Sequence, residues 1–270
     1  MFRLPLIRAA ILLAFALSLA PVLAQSARAD QLEDGRIALE NKDYTTAMKL
    51  LLPLAEQGNP RAQNAVGSLY ENGRGVSQNY EEAAKWYRKS ADQGYENAQY
   101  NLGFLYLDGL GVERDYDAAY KLLRPIADRG AADAQSTMGF MYFEGKGVTQ
   151  DRKEAARWYR LSADQGYDSG QHSLGVLYED GLGVPQDYAE ALKWYTLAAN
   201  QNYAPSQNNL GFLYRDGKGV KQDYVEAKKW YLLAIKNGHK QAPEWDKALT
   251  AKMSAQQIAE AEKRAEEWKP

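Results

Sequence analysis

Gly67, Gly103, Gly139, Gly175 and Gly211 recur every 36 residues, and each is followed three residues later by a tyrosine, Tyr70, Tyr106, Tyr142, Tyr178 and Tyr214. A chain that repeats at this length without insertion or deletion folds as a stack of small alike units, each burying its apolar side against its neighbours. Five full copies run over 62-97, 98-133, 134-169, 170-205 and 206-241.

The second copy serves as the type. Ala98, Leu102, Gly103 and Tyr106 fall on one side of a helix at about 100° per residue. Gly109-Leu-Gly111-Val112 then ends it, because two glycines one residue apart supply left-handed turn positions. Asp115 stands at the start of the next helix, as do Asn79, Asp151, Asp187 and Asp223, and four of these five have Glu three residues on, at Glu82, Glu154, Glu190 and Glu226. That spacing predicts capping boxes. The second helix carries Ala83, Ala119, Ala155, Ala191 and Ala227, then Trp86, Leu122, Trp158, Trp194 and Trp230. Small residues let helices approach, and the large ones fill the space between repeats. Gly94, Gly130, Gly166 and Gly238 end it, with Asn202 as the tolerated left-handed substitute.

Residues 31-61 read as a shortened copy, an N-terminal capping repeat: Asp43-Tyr44, Ala47 and Gly58 keep the register, but Gly35 lies 32 residues before Gly67, so the Gly-x-Gly loop is missing. At the other end, residues 242-270 are expected to form a C-terminal capping helix. Ser254-x-x-Gln257 supplies a capping box, Met253 and Ile258 a hydrophobic staple, and Ile258, Ala261, Ala265 and Trp268 one apolar stripe.

The first 24 residues join a basic flank, Arg3 and Arg8, to an apolar run from Ala9 to Leu23 and a small-residue exit at Val22-Leu23-Ala24. These are the parts of a Sec-type signal peptide, cleaved after Ala24, with Ala27-Arg28-Ala29 as a second possible exit. The run is about 15 residues against the roughly 20 that span a bilayer. Losing two arginines takes the formal charge from -2 to -4, which makes no electrostatic case for nucleic acid. No later apolar run is long enough for a membrane span after cleavage. The expected place is therefore the periplasm or the cell exterior.

The repeated Ala-x-x-x-Leu-Gly-x-x-Tyr, Asp-Gly-x-Gly-Val, Asp-Tyr-x-x-Ala and Lys-Trp-Tyr elements, over roughly 31-241, resemble the Sel-one-like repeat family, relatives of the tetratricopeptide repeats. The resemblance implies an all-α fold, a right-handed α/α superhelical solenoid of helix hairpins whose first helices line a concave surface. It also implies a scaffold for protein assemblies, such as periplasmic regulators of sensor kinases, exopolysaccharide-assembly factors or secreted proteins that engage host cells. Some Cys-rich relatives bind or hydrolyse β-lactams, but their paired cysteines have no counterpart in a chain without Cys.

On the first helices, Tyr100, Phe104 and Leu107 lie opposite the recurring Leu102 and Tyr106. Their equivalents are Asn64, Ser68 and Glu71; Ser136, Phe140 and Phe143; His172, Val176 and Glu179; and Asn208, Phe212 and Arg215. Apolar residues on such a face suggest a groove for a peptide or helix. The candidate partner contacts are Tyr100, Phe104, Leu107, Phe140, Phe143, His172, Val176, Phe212 and Arg215. A second reading stays open for Phe104, Phe140, Val176 and Phe212: a recurring position also serves to pack first helix on first helix. Glu71, Glu179 and Arg215 read either as polar contacts or as solvated rim charges. Gln63, Gln99, Gln135, Gln171 and Gln207, present in every copy, read as an inter-repeat hydrogen-bond ladder.

Chemistry finds little support. His172 and His239 lack the spacing of metal ligands, the Asp-Gly-Leu-Gly loop lacks the ligand pattern of a calcium or phosphate loop, and Ser173 and Ser206 have no evident base. No catalytic residue, cofactor or metal is expected. The reading is a non-enzymatic protein-interaction scaffold or adaptor, with no signal for a particular partner or oligomeric state. The alternative, motivated by 19 Tyr and 6 Trp, is a cell-envelope glycan binder or a weak hydrolase of a β-lactam or peptidoglycan-like ligand.

Overall fold

The computed structural model describes residues 28–269; the expected leader, 1-24, and its cleavage after Ala24 lie outside them. Among the described residues there are fourteen α-helices and no strand, and none of those helices is long and apolar enough to cross a membrane. The chain divides into two compact units, Met1–Asp115 and Tyr116–Pro270. The first contains α1 (28–40), α2 (Tyr44–Glu56), α3 (Pro60–Asn72), α4 (Tyr80–Ala91) and α5 (Glu96–Asp108). The second contains α6 (Tyr116–Asp128), α7 (Ala132–Glu144), α8 (Arg152–Asp164), α9 (Asp168–Asp180), α10 (Tyr188–Ala199), α11 (Ala204–Asp216), α12 (Tyr224–Lys236), α13 (Ala242–Thr250) and α14 (Ala255–Glu267).

Four of the five full repeats are closed by a ring lying on a glycine; in the second copy the ring position is Leu123. Tyr87, Tyr159, Tyr195 and Tyr231 of the second helices lie across the first helix of their own repeat, over Gly67, Gly139, Gly175 and Gly211. A Cβ on Gly139 would come within 2.5 Å of the Tyr159 ring. The glycine that marks the period is thus a seat for a tyrosine, and its helix-propensity cost of about 1 kcal/mol is offset by the ring burial it permits. Beside each tyrosine, Trp86, Trp158, Trp194 and Trp230 are buried, as are the repeated alanines Ala83, Ala155, Ala191 and Ala227.

The loops between the two helices of a repeat lie on the preceding repeat. A Cβ on Gly183 would fall 2.1 Å from the Arg152 carbonyl oxygen at the start of α8, and the same approach recurs between Gly219 and Tyr188. Gln78, Gln150, Gln186 and Gln222 brace these loops, each donating its Nε2–H to the carbonyl of Glu71, Phe143, Glu179 or Arg215 at 2.7–2.8 Å.

The second helices are capped as expected, but not reciprocally. Asn79, Asp151, Asp187 and Asp223 accept from the backbone N–H of Glu82, Glu154, Glu190 and Glu226. The return bond of a capping box is pre-empted, because the cap's own N–H donates to the carbonyl of Tyr70, Tyr142, Tyr178 or Tyr214 at 2.9 Å. The glutamates turn instead to a cation three residues on: Lys85 at 2.7 Å, Arg157 at 2.7 Å, Lys193 at 3.3 Å, and Lys229.

The Gln ladder is structural. Gln63, Gln135, Gln171 and Gln207 are buried and donate to the last-turn carbonyls of Ala55, Ala127, Ala163 and Ala199. Each then accepts from a residue 30 positions ahead, Gln93, Gln165, Gln201 or Asn237, at 2.7–2.9 Å. One side chain so joins three successive helices, and its own buried amide oxygen has a donor.

At the N-terminus the missing loop is replaced by a tight turn in which Lys42 takes the left-handed conformation (φ 61). The segment 242-270, expected as one capping helix, is two: α13 ends before Ser254, whose capping box with Gln257 starts α14. Arg264 meets Glu226 at 3.4 Å and Trp268 meets Trp230 at 6.1 Å between ring centroids. Both pairs are 38 residues apart, so α14 lies on α12 nearly as one second helix lies on the next. Ala261 of its stripe is fully buried, and its outward residues are Gln, Glu, Lys and Arg.

Candidate functional site

In the second unit, Phe140 and Phe143 of α7 and His172 and Val176 of α9 converge on one cavity of about 190 Å³. Glu144, Tyr159, Ser173 and Leu177 complete its lining. Phe140 and Phe143 are half-buried and also pack on the core of α8 and α9. At the recurring position, Phe140 thus packs on the neighbouring helices and also lines the cavity. Cations frame the aromatic surface: Lys146 lies 4.4 Å from the Phe140 centroid and Arg152 5.9 Å from that of Phe143.

His172 is held as part of this wall. Its ring leans on Tyr195 and Tyr203, at centroid distances of 5.5 and 5.3 Å, and Nδ1 shares a hydrogen bond with the Ser206 hydroxyl at 2.9 Å. Burial, with a smaller contribution from His239, pushes its pKa down to about 4, so the imidazole is neutral at pH 7. The unfolded chain takes up that proton near pH 6.5, which the folded chain does not until about pH 4. Stability from this group is complete above pH 6.5 and is lost as pH falls toward 4, by about 2 kcal/mol after allowing for partial exposure. Denaturant melts at pH 7.0 and 4.5 should show a drop that is smaller by about that amount in His172→Gln.

Glu71 and Glu179 are not free rim charges. Each accepts a hydrogen bond from the tyrosine of its own repeat, Tyr87 at 2.5 Å and Tyr195 at 2.8 Å. Burial raises both phenols and the adjacent carboxylates reinforce it, so the tyrosines stay protonated as donors. Arg215 is likewise engaged, paired with Asp216 at 2.6 Å and lying 4.8 Å from the Phe212 centroid.

Phe212 itself sits edge-on to Tyr231 at 5.6 Å and to Trp245 of α13 at 5.3 Å. Trp245 is 38% exposed and extends this aromatic surface; it lies beyond the last 36-residue copy, so no periodic argument singles it out. In the first unit, Tyr100 and Phe104 form a half-buried pair with centroids 4.8 Å apart. Leu107 is only 8% exposed and belongs to the core, so the accessible apolar surface of α5 comes from Tyr100 and Phe104. Ser136 and Asn208, at the Tyr100 position of the third and fifth copies, are buried too. The face is therefore not one uniform strip: its apolar residues gather at Tyr100 and Phe104 of α5 in the first unit, and where α7 meets α9 and α11 meets α13 in the second.

The Sel1 repeat profile matches six consecutive stretches of the chain, 24–59, 60–95, 97–130, 132–167, 168–203 and 204–239. The first contains most of the helix pair expected as a cap. Among solved structures, the chain is similar to a Sel1 repeat protein from Oxalobacter formigenes, with 32% identity and a TM-score of 0.76 over 86% of this chain and 96% of that one. It is also similar to c5321, a protective antigen present in uropathogenic Escherichia coli strains that displays an SLR fold. There the identity is 34% and the TM-score 0.75, covering 91% of this chain and 54% of the other. A comparison with curated proteins gave no match.

Proposed function

Because this chain belongs to the Sel1 repeat family, whose repeats generally mediate protein–protein interactions, we propose that it is a non-enzymatic scaffold of the periplasm or cell exterior. In this reading its first-helix face binds a protein and regulates or assembles it. The observation that carries the proposal is the cavity between α7 and α9, where Phe140, Phe143, His172 and Val176 meet. An apolar hollow with a polar rim is the form in which a protein surface receives an anchor side chain, and its size suits one such side chain. The location rests on the leader pattern of residues 1-24.

Removing Phe140 and Phe143 together as alanines takes away two such contacts, each worth about 1–3 kcal/mol to binding. Recovery of a partner with the tagged chain from cell-envelope extract should fall at least about tenfold, with helical content unchanged. An equal yield from wild type and variant would contradict the proposal.

A further inference from the structure

The helix pair at the start of the chain encloses a larger cavity, about 570 Å³, between α1, α2 and α3, with Tyr95 at its edge. Its origin lies in the repeat register. Counting the four missing loop residues, Leu32, Arg36 and Leu39 of α1 stand where α5 has Tyr100, Phe104 and Leu107. The phenylalanine position is thus Arg36 in α1 and Ser68 in α3, and the ring position of Tyr87 is Leu51 in α2. Gly35 still brings α1 down on that residue, since a Cβ there would lie 2.5 Å from Leu51. Close helices from which the large rings have been removed leave a hollow.

Leu32, Leu39, Leu51 and Ala65 make its apolar surface, and Arg36 and Arg61 stand at its mouth. Arg36 is neutralised by Glu33 at 2.6 Å and by Glu40. Arg61 is exposed and has no acidic partner among the described residues, so its guanidinium, unlike that of Arg36, is open to an acidic group from outside. We propose that this cavity is a second interaction site. It receives a peptide segment of a protein partner that inserts one large apolar side chain and sets an Asp or Glu side chain, within about a helical turn of it, against Arg61.

The test is selection of random dodecamer peptides displayed on phage, against the full chain, with counter-selection on Ala65→Phe, which fills the hollow. Retained peptides should pair Leu, Phe or Trp with Asp or Glu within about four residues. Synthetic copies should bind at least about tenfold more weakly to Ala65→Phe and to the surface variant Arg61→Glu. Arg61→Glu should in turn favour the same peptide with its acidic residue changed to Lys. Selected peptides with no acidic residue, binding indifferent to both variants, or no peptide that separates wild type from Ala65→Phe would each overturn the proposal. Peptides lost only with Phe143→Ala would overturn it while leaving the α7–α9 reading intact.

Discussion

Replacing Gly183 with alanine lowers stability by about 3 kcal/mol or more, whereas Gly166→Ala costs only about 1 kcal/mol. Both glycines take the left-handed conformation, with φ of 75 and 86, so the strain of a Cβ at positive φ is common to the pair. They differ in surroundings. A Cβ on Gly166 meets nothing within 4 Å, but one on Gly183 lies 2.1 Å from the Arg152 carbonyl oxygen and 2.4 Å from its carbon. Backbone at a helix start cannot turn aside as a flexible side chain does, so either the loop lifts off α8 or α8 frays. Chemical denaturation of the two variants beside wild type measures the difference. Equal losses would mean that the second glycine of each loop serves only the turn and not the approach between repeats.

The second large effect is expected at Asp246→Ala, a loss of about 3–5 kcal/mol. Lys228 of α12 is nearly inaccessible, its side chain 4% exposed, and it donates to Asp246 at 2.7 Å and to the Thr250 hydroxyl at 2.8 Å, both on α13. Removing the carboxylate leaves a buried ammonium with one neutral partner, a far worse state than two apolar residues would make. Lys228→Met in the Asp246→Ala background should therefore recover most of the loss, although the same pair of contacts stays deleted. Failure of that rescue in denaturant titrations would show that the pair holds α13 by geometry rather than by charge.

The period alone made the helix pairs, their ends and the absence of strands among the described residues legible, because glycine spacing and Asn or Asp before an apolar stripe act locally. What it hid are the contacts between helices. Gly139 read as part of a helix face, and nothing local says that Tyr159, twenty residues on, lies across it. The four glutamates read as capping boxes because the competing bond, from the cap N–H to a tyrosine carbonyl of the preceding helix, is not visible in a local spacing. Lys228 looks like one more solvated helix cation beside Lys229; its burial comes from α13, which lies outside the 36-residue rule.

The candidate site was legible to the same degree. Helical geometry put Phe140, Phe143, His172 and Val176 on one face, and the four line one cavity; it put Leu107 there too, because an angle around a helix does not reveal depth. Leu107 is buried, while Phe143, at the same position one repeat later, keeps part of its ring open. The N-terminal hollow was missed because reading residues 31-61 as a cap kept Leu32, Arg36 and Leu39 out of the comparison of first helices.

A scaffold of this kind requires that the α7–α9 face meet a protein. The most direct measurement places a photocrosslinking residue at Phe143 in living cells, with the exposed Lys193 as control, and identifies the products by mass spectrometry. One protein captured from Phe143 and absent from Lys193, and lost again when Val176→Asp is added, is the predicted result. The same set of products from both positions, or none from Phe143, would contradict it.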